Sequence, residues 1–237
     1  VPELVLNRTP ARGRFGAYGK MPALGDFFRL HPPAGFLEAW DPFLQALLTE
    51  SAGVLGAEFD AAYMSAPIWR FTLAAGLAGP GPVMGVLMPS VDRVGRRFPL
   101  TLMVPLAERT DVAASHFREA ALFAQLEDLA LDMLEDSGNR DALEEGLAAL
   151  PAPQPEGGGL LRAAAGTLVL SQGAGLQGAS GDVAAALLGE RYRAPSLWST
   201  EVDGVPRLMV AEGLPGPREM LALITLHAPL WTEARPV

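Results

Sequence analysis

The sequence contains no cysteine, which excludes disulfides, thiolate metal ligands and cysteine nucleophiles and removes the usual marker of an oxidising compartment. Histidine is scarce as well. His31, His116 and His227 lie far apart, and none has a neighbour at metal-ligand spacing, so neither a metal site nor another cofactor is indicated. Basic charge is in short supply: 18 Lys+Arg face 27 Asp+Glu, and the formal net charge of −9 repels a phosphate backbone, which argues against a nucleic-acid partner. No apolar run reaches the roughly 18 residues a membrane helix requires, the longest being "PLTLMVPLA" and "MLALITL", so membrane insertion is not expected. The first stretch, "VPELVLNRTPARGR", carries Glu3 early and its arginines after a short apolar patch, unlike a secretory leader. The cytoplasm is then the default compartment.

What the 237 residues do have is apolar bulk, 49% hydrophobic, enough for one large domain with a sizeable core. Residues 14–19 suit a short strand ending in glycines. Phe36, Leu37, Trp40, Phe43, Leu44, Leu47 and Leu48 recur every three or four residues, the stripe of an amphipathic helix. Asp41-Pro42 interrupts it as an N-cap followed by a first-position proline, so the pattern predicts a turn and a fresh helix from 42 to about 52. "EFDAAYMS" offers another turn or two of helix. "IWRFTLA" (68–74), "VMGVLM" (83–88) and "FPLTLMVPL" (98–106) are short apolar runs between breakers, hence strands of an antiparallel meander.

Further on, Asp111 should cap a long helix from 112 to about 135, and "NRDALEEGLAAL" predicts another. "PAPQPEGGG" (151–159) marks a break. "GTLVLSQ" then suits a strand, "SGDVAAALLGERY" a Ser-capped helix, and "SLWSTEVDGVPRLMVAE" a hairpin turning at Asp203-Gly204. "GPREMLALITL" closes the pattern as a helix. Alternating blocks of strand and helix without repeats predict an α/β fold, one mixed and largely antiparallel sheet with helices on both faces.

Two segments concentrate chemistry. "RFGAYGKMPALGDFFRL" (14–30) has the glycines and lysine of a phosphate loop, but Arg14 stands where the first glycine belongs, Met21 cannot ligate magnesium, and Pro22 removes an amide donor. "MPSVDRVGRRFPL" places Ser90, Asp92, Arg93, Arg96 and Arg97 together at the end of an apolar strand. A serine nucleophile there would need a Gly-x-Ser-x-Gly elbow and a base; Pro89-Ser90-Val91 is no elbow, and His31 is the only histidine near in sequence. The structural reading has Ser90 and Asp92 bonding turn amides while an arginine pairs with Asp26 or Asp92. The functional reading has an arginine projecting outward toward an acidic partner. In "APIWRF", Arg70 lies on the strand face opposite Trp69 and Phe71, within possible reach of the same network.

"GKMPALGDFFR" (19–29), "WDPFL" (40–44), "APIWRF" (66–71) and "GVLMPSVDRVGRRFPLTL" (85–102) resemble the signature of the type VI secretion-associated family TagF, also called ImpM. The likeness is strongest over 13–106, passes through a helical middle (107–150) and the break at 151–159, and continues in 160–237 through "PSLWST" and "GLPGPREMLALI", so the whole chain is treated as one TagF-like domain. Ser199 replaces the second Trp of the family's "LWW". The resemblance implies a three-layer α/β/α sandwich and a cytoplasmic, non-enzymatic repressor of secretion-system assembly whose partner is the forkhead-associated (FHA) scaffold protein. Its motif positions here are Gly19, Pro22, Gly25 and Asp26, then Trp40, Asp41, Trp69 and Arg70. Pro89, Ser90, Asp92, Arg93, Gly95, Arg96 and Pro99 complete them.

The glycines Gly19 and Gly25 would let two tight turns carry Asp26 to the arginine loop, making a clasp that shapes a surface. Two other classes compete. A hydrolase or phosphate-handling enzyme would use Ser90, Asp92 and Arg96 in a pocket, with a general base in reach of the serine. A longin-like or roadblock-like platform for a small GTPase would present an apolar helix face or sheet edge.

Overall fold

The computed structural model describes residues 13–108, 110–135, 138–154, 161–162, 168–169 and 176–233. Its strands in chain order are β1 (Gly16–Gly19), β2 (Phe28–Leu30), β3 (Trp69–Leu73), β4 (Val83–Met88) and β5 (Leu100–Pro105), then β6 (Leu161–Arg162), β7 (Leu168–Val169), β8 (Pro195–Val202) and β9 (Val205–Glu212). All but β6 and β7, which pair with each other, form one seven-stranded sheet in the order β2-β1-β5-β4-β3-β8-β9. Every described neighbour pair is antiparallel, so the sheet lacks the parallel strands that a mixed sheet would have. Tight loops and hairpins join most sequential strands, and such connections return the chain antiparallel. The hairpin joins the meander by pairing β8 with β3, and its Asp203-Gly204 turn has both residues at positive φ, 53° and 73°. Of "GTLVLSQ" only Leu168–Val169 is described as strand; the rest of that run up to Gln172, and residues 155–159 of the predicted break, lie outside the described residues.

The helices are α1 (Phe36–Leu55), α2 (Phe59–Met64), α3 (Val112–Arg118), α4 (Ala120–Asp132), α5 (Arg140–Ala149), α6 (Leu176–Arg191), α7 (Pro217–Ile224) and α8 (Pro229–Thr232). Strand alternation divides the core. Trp69, Phe71, Met103 and Trp198 face α1, α2, α7 and α8, whereas Met84, Val86, Leu102 and Val104 face α4 and α5. A third cluster seats α3 and α6 on Leu197 beside them. The result is the three-layer α/β/α arrangement.

Trp40 organises the first layer. Fully buried, it stacks on Trp198 at 6.0 Å, lies 4.7 Å from the Phe71 ring, and donates its indole N–H to Thr101 Oγ1 at 3.0 Å. Trp69, equally buried, donates to Leu223 O at 2.8 Å and stacks on Trp231 at 5.8 Å, pinning α7 and α8 to the sheet.

Three helix boundaries differ from the sequence reading. α1 runs unbroken through Pro42, because Phe36, Trp40, Phe43, Leu44 and Leu47 form one buried stripe across it whose packing outweighs a lost backbone bond of about 3 kcal/mol or more. The single helix expected after Asp111 bends at Glu119 into α3 and α4, so that α3 packs on α6 while α4 lies over β4 and β5. Asp111 does cap it, accepting from Ala113 N and Ala114 N at 3.0 Å. α6 begins at Leu176, which puts Ser180 inside the helix instead of at its cap.

Pro42 is therefore tolerated, not required. Pro42→Ala restores an amide donor to α1 and should raise stability by about 2–2.5 kcal/mol, after subtracting the ~0.4–1 kcal/mol by which proline restricts the unfolded chain. Chemical denaturation of both forms measures the difference.

Candidate functional site

The loop between β4 and β5 folds around one carboxylate. Asp92 Oδ1 accepts from Val94 N at 3.1 Å and Arg96 N at 2.9 Å, while its Oδ2 takes the Arg96 Nε at 2.6 Å and the Lys20 ammonium at 3.1 Å. The Asp92 side chain has no exposed surface, and that of Lys20 is 6% exposed. Burial by itself would raise the Asp92 pKa, but the donors from Arg96, Lys20 and Val94 outweigh it and hold the carboxyl well below the usual carboxylate range. Gly95, at φ 83°, supplies the left-handed turn, and Val91 bridges Arg97 across the base of the loop. On its outer side α2 holds the loop. Tyr63 donates to Ser90 O at 2.8 Å and Arg97 forms an ion pair with Asp60.

The amino-terminal segment comes to the same place. Gly19 ends β1 so close to β5 that a Cβ there would fall 2.0 Å from Pro99 O, and Lys20 enters the buried side of the loop directly after it. A turn at Met21–Leu24, with Pro22 second and Leu24 N bonded to Met21 O at 3.0 Å, then carries the backbone over the loop. Leu24 O accepts from Arg93 N at 2.9 Å, Gly25 O accepts from Arg96 Nη2 at 2.6 Å, and a Cβ on Gly25 would meet Arg93 Nη2 at 3.2 Å. The two segments thus interlock through Lys20, Asp92 and Arg96.

Asp26 is not the carboxylate of this clasp. It is exposed and accepts from Phe27 N at 2.8 Å, because the turn after Gly25 points its side chain outward while Asp92 already satisfies the cations. Arg70 is absent from it too. It crosses to the α4 face and makes two bonds to Glu127, at 2.7 and 2.6 Å, a direction that period two requires of a residue flanked by inward Trp69 and Phe71. Trp40 and Trp69 are core. Asp41 accepts from the Tyr18 hydroxyl, whose pKa is raised by burial and by that carboxylate, and so links α1 to β1. Pro89 and Pro99, at either end of the loop, border one small apolar cavity with Tyr63 and Trp69.

Three participants escaped the sequence reading. Lys20 had a signal: it is the only lysine among the 18 basic residues, a compact point charge where a guanidinium fork is used everywhere else. Tyr63 and Glu127 gave none, since each acts across a separation that no local pattern encodes. His116 likewise is buried, with Nδ1 2.9 Å from Thr72 Oγ1 and Nε2 2.8 Å from Ser199 Oγ. Burial, and secondarily the charge of Arg70, lowers its pKa to about 3.

The geometry offers little to a hydrolase. Ser90 Oγ is buried and has no hydrogen-bond partner among the described residues, and His31 lies elsewhere, 3.0 Å from Glu144 Oε1. Among the described residues no group of acids and histidines is placed to hold a metal ion, and no helix is long and apolar enough to cross a membrane.

The model of the TagF N-terminal domain, described as type VI secretion system-associated, matches residues 16–150, more than half of the chain and both halves of the clasp. The chain belongs to the TagF family. Its structure is similar to the crystal structure of PA0076 from Pseudomonas aeruginosa PAO1, with a TM-score of 0.75 and 31% identity over 94% of this chain and 97% of that one. No curated protein sequence matches. The structural likeness extends beyond residue 150, so in this TagF-family chain β8, β9 and α7 belong to the shared fold as much as the clasp does.

Two outcomes follow from these contacts. Lys20→Met leaves a buried carboxylate short of a cation and should lower the melting temperature on the order of 10 °C, far more than Arg93→Ala, whose guanidinium has no carboxylate partner among the described residues. Because the folded-state pKa of His116 lies below its unfolded value, the unfolded chain takes the proton first; this contribution is complete above about pH 6.5 and shrinks by about 1.4 kcal/mol per pH unit as pH falls toward 3. His116→Gln should flatten the stability profile between pH 6.5 and 4.5, measured by denaturant titration at each pH.

Proposed function

We propose that this chain is an accessory regulator of a bacterial type VI secretion system that represses assembly after translation by binding the system's FHA-domain scaffold protein in the cytoplasm. Membership of a family described as type VI secretion system-associated supports the setting. The observation that carries a binding role over a catalytic one is the clasp: its two cations hold the buried carboxylate and fix the loop, while Ser90, the one nucleophile the loop offers, is buried without a hydrogen-bonded base among the described residues. A rigid, preorganised loop is what a docking surface needs, since little conformational entropy remains to be lost on association. Arg96 serves this rigidity, so its removal should weaken binding through the fold and lower the melting temperature together.

The test is co-purification of the intact chain with the FHA-domain scaffold from the same gene cluster across a salt series. Association that weakens as salt rises is expected. Failure to associate at any ionic strength would remove the scaffold from the account and leave only the secretion-associated family.

A further inference from the structure

Once the clasp is assembled, its cations are unequally committed. Lys20 and Arg96 are spent on Asp92, and Arg97 is paired with Asp60. Arg29 and Arg93 are exposed, and neither has a carboxylate partner among the described residues; Arg93 lies against Gly25, and the Arg29 guanidinium sits 6.0 Å over the Tyr18 ring. Two large apolar side chains are exposed on the two interlocked segments, Phe27 at 47% and Val94 at 70%. Phe27 is not loose: its ring packs edge-on against Phe98 at 4.7 Å, stacks on Tyr18 at 6.3 Å, and has the Lys20 ammonium 4.7 Å from its centroid. Val94 is held at the loop tip by its bond to Asp92.

We propose that Arg29, Arg93, Phe27 and Val94 form a docking site for an acidic protein segment that carries an apolar side chain, the carboxylates reaching the two arginines and the apolar group covering Phe27 and Val94. Charge complementarity selects this occupant. In a chain of net charge −9, this patch gathers two guanidiniums without a carboxylate partner among the described residues, while of the carboxylates nearby Asp26 bonds the Phe27 amide and Asp41 is engaged by the Tyr18 hydroxyl and Gln45. An immobilised aromatic flanked by arginines is also the composition of an interface hot spot. The proposal rests on the reading above only for the identity of the protein that carries the segment. It moves recognition from Arg96, which is exposed but has its guanidinium engaged by Asp92 and Gly25 O, to Arg93 beside it.

The experiment has two arms. In the first, scaffold binding is compared for the wild-type chain and Arg29→Glu/Arg93→Glu, with Phe27→Ala as a second variant and melting curves as the control on folding. Loss of at least tenfold in affinity is expected, with the melting temperature of the double arginine variant within about 2 °C of wild type; unchanged affinity overturns the site while leaving scaffold binding intact. In the second, which needs no scaffold, a labelled twelve-residue peptide of Asp and Glu with a central Leu-Phe is titrated against the same proteins. Binding that falls at least tenfold in the double variant, and also when Leu-Phe becomes Ser-Ser, supports the site. No binding, equal binding of the Ser-Ser peptide, or equal binding of a single-stranded oligonucleotide overturns it. Should the scaffold not associate at all, this second arm decides alone.

Discussion

A single buried carboxylate holds the segment after β1 and the loop between β4 and β5 in register. An isolated anion at the position of Asp92 would be too costly to keep charged, and it persists because two cations and two backbone amides surround it. Those donors come from both segments. The ion cluster therefore does more than stabilise a turn: it makes the conformation of the β4–β5 loop depend on the correct path of the chain after β1, and the reverse. Glycine and proline complete the device by letting one backbone pass where no side chain would fit.

Much of the architecture was legible because it rests on local patterns. Short apolar runs between breakers located β3, β4 and β5; Asp203-Gly204 located the hairpin; Asp111 located a helix start. The failures share one cause, local chemistry overridden by long-range packing. Pro42 has the look of a helix start, yet the stripe formed by Trp40 on one side and Phe43 and Leu44 on the other is buried continuously against Phe71 and Trp198. Glu119 bends a helix that periodicity alone would keep straight, and its carboxylate, buried, accepts from Gln154 N at 2.6 Å. β2 is short enough, three residues, to be lost among glycine turns.

The site was legible in outline and misassigned in detail. That a glycine-rich segment and a basic loop meet follows from their joint strangeness in an acidic chain. Which acid faces which base does not. Asp26 and Asp92 are equivalent on paper, and only the direction in which each turn aims its side chain separates them. The same holds for Arg70, whose strand position put it on the far face from Trp69 but could not name Glu127. Side-chain identity marks a region as chemically unusual; backbone direction assigns the partners.

One further consequence comes from the scarcity of lysine. Every basic side chain except Lys20 is a guanidinium, and the Lys20 amine is enclosed between Asp92 and the Phe27 ring. The folded molecule thus presents no side-chain amine to acylating reagents or to enzymes that modify lysine. Any covalent mark appearing at that nitrogen would record a moment when the two segments had parted, which makes this residue an intrinsic reporter of their separation.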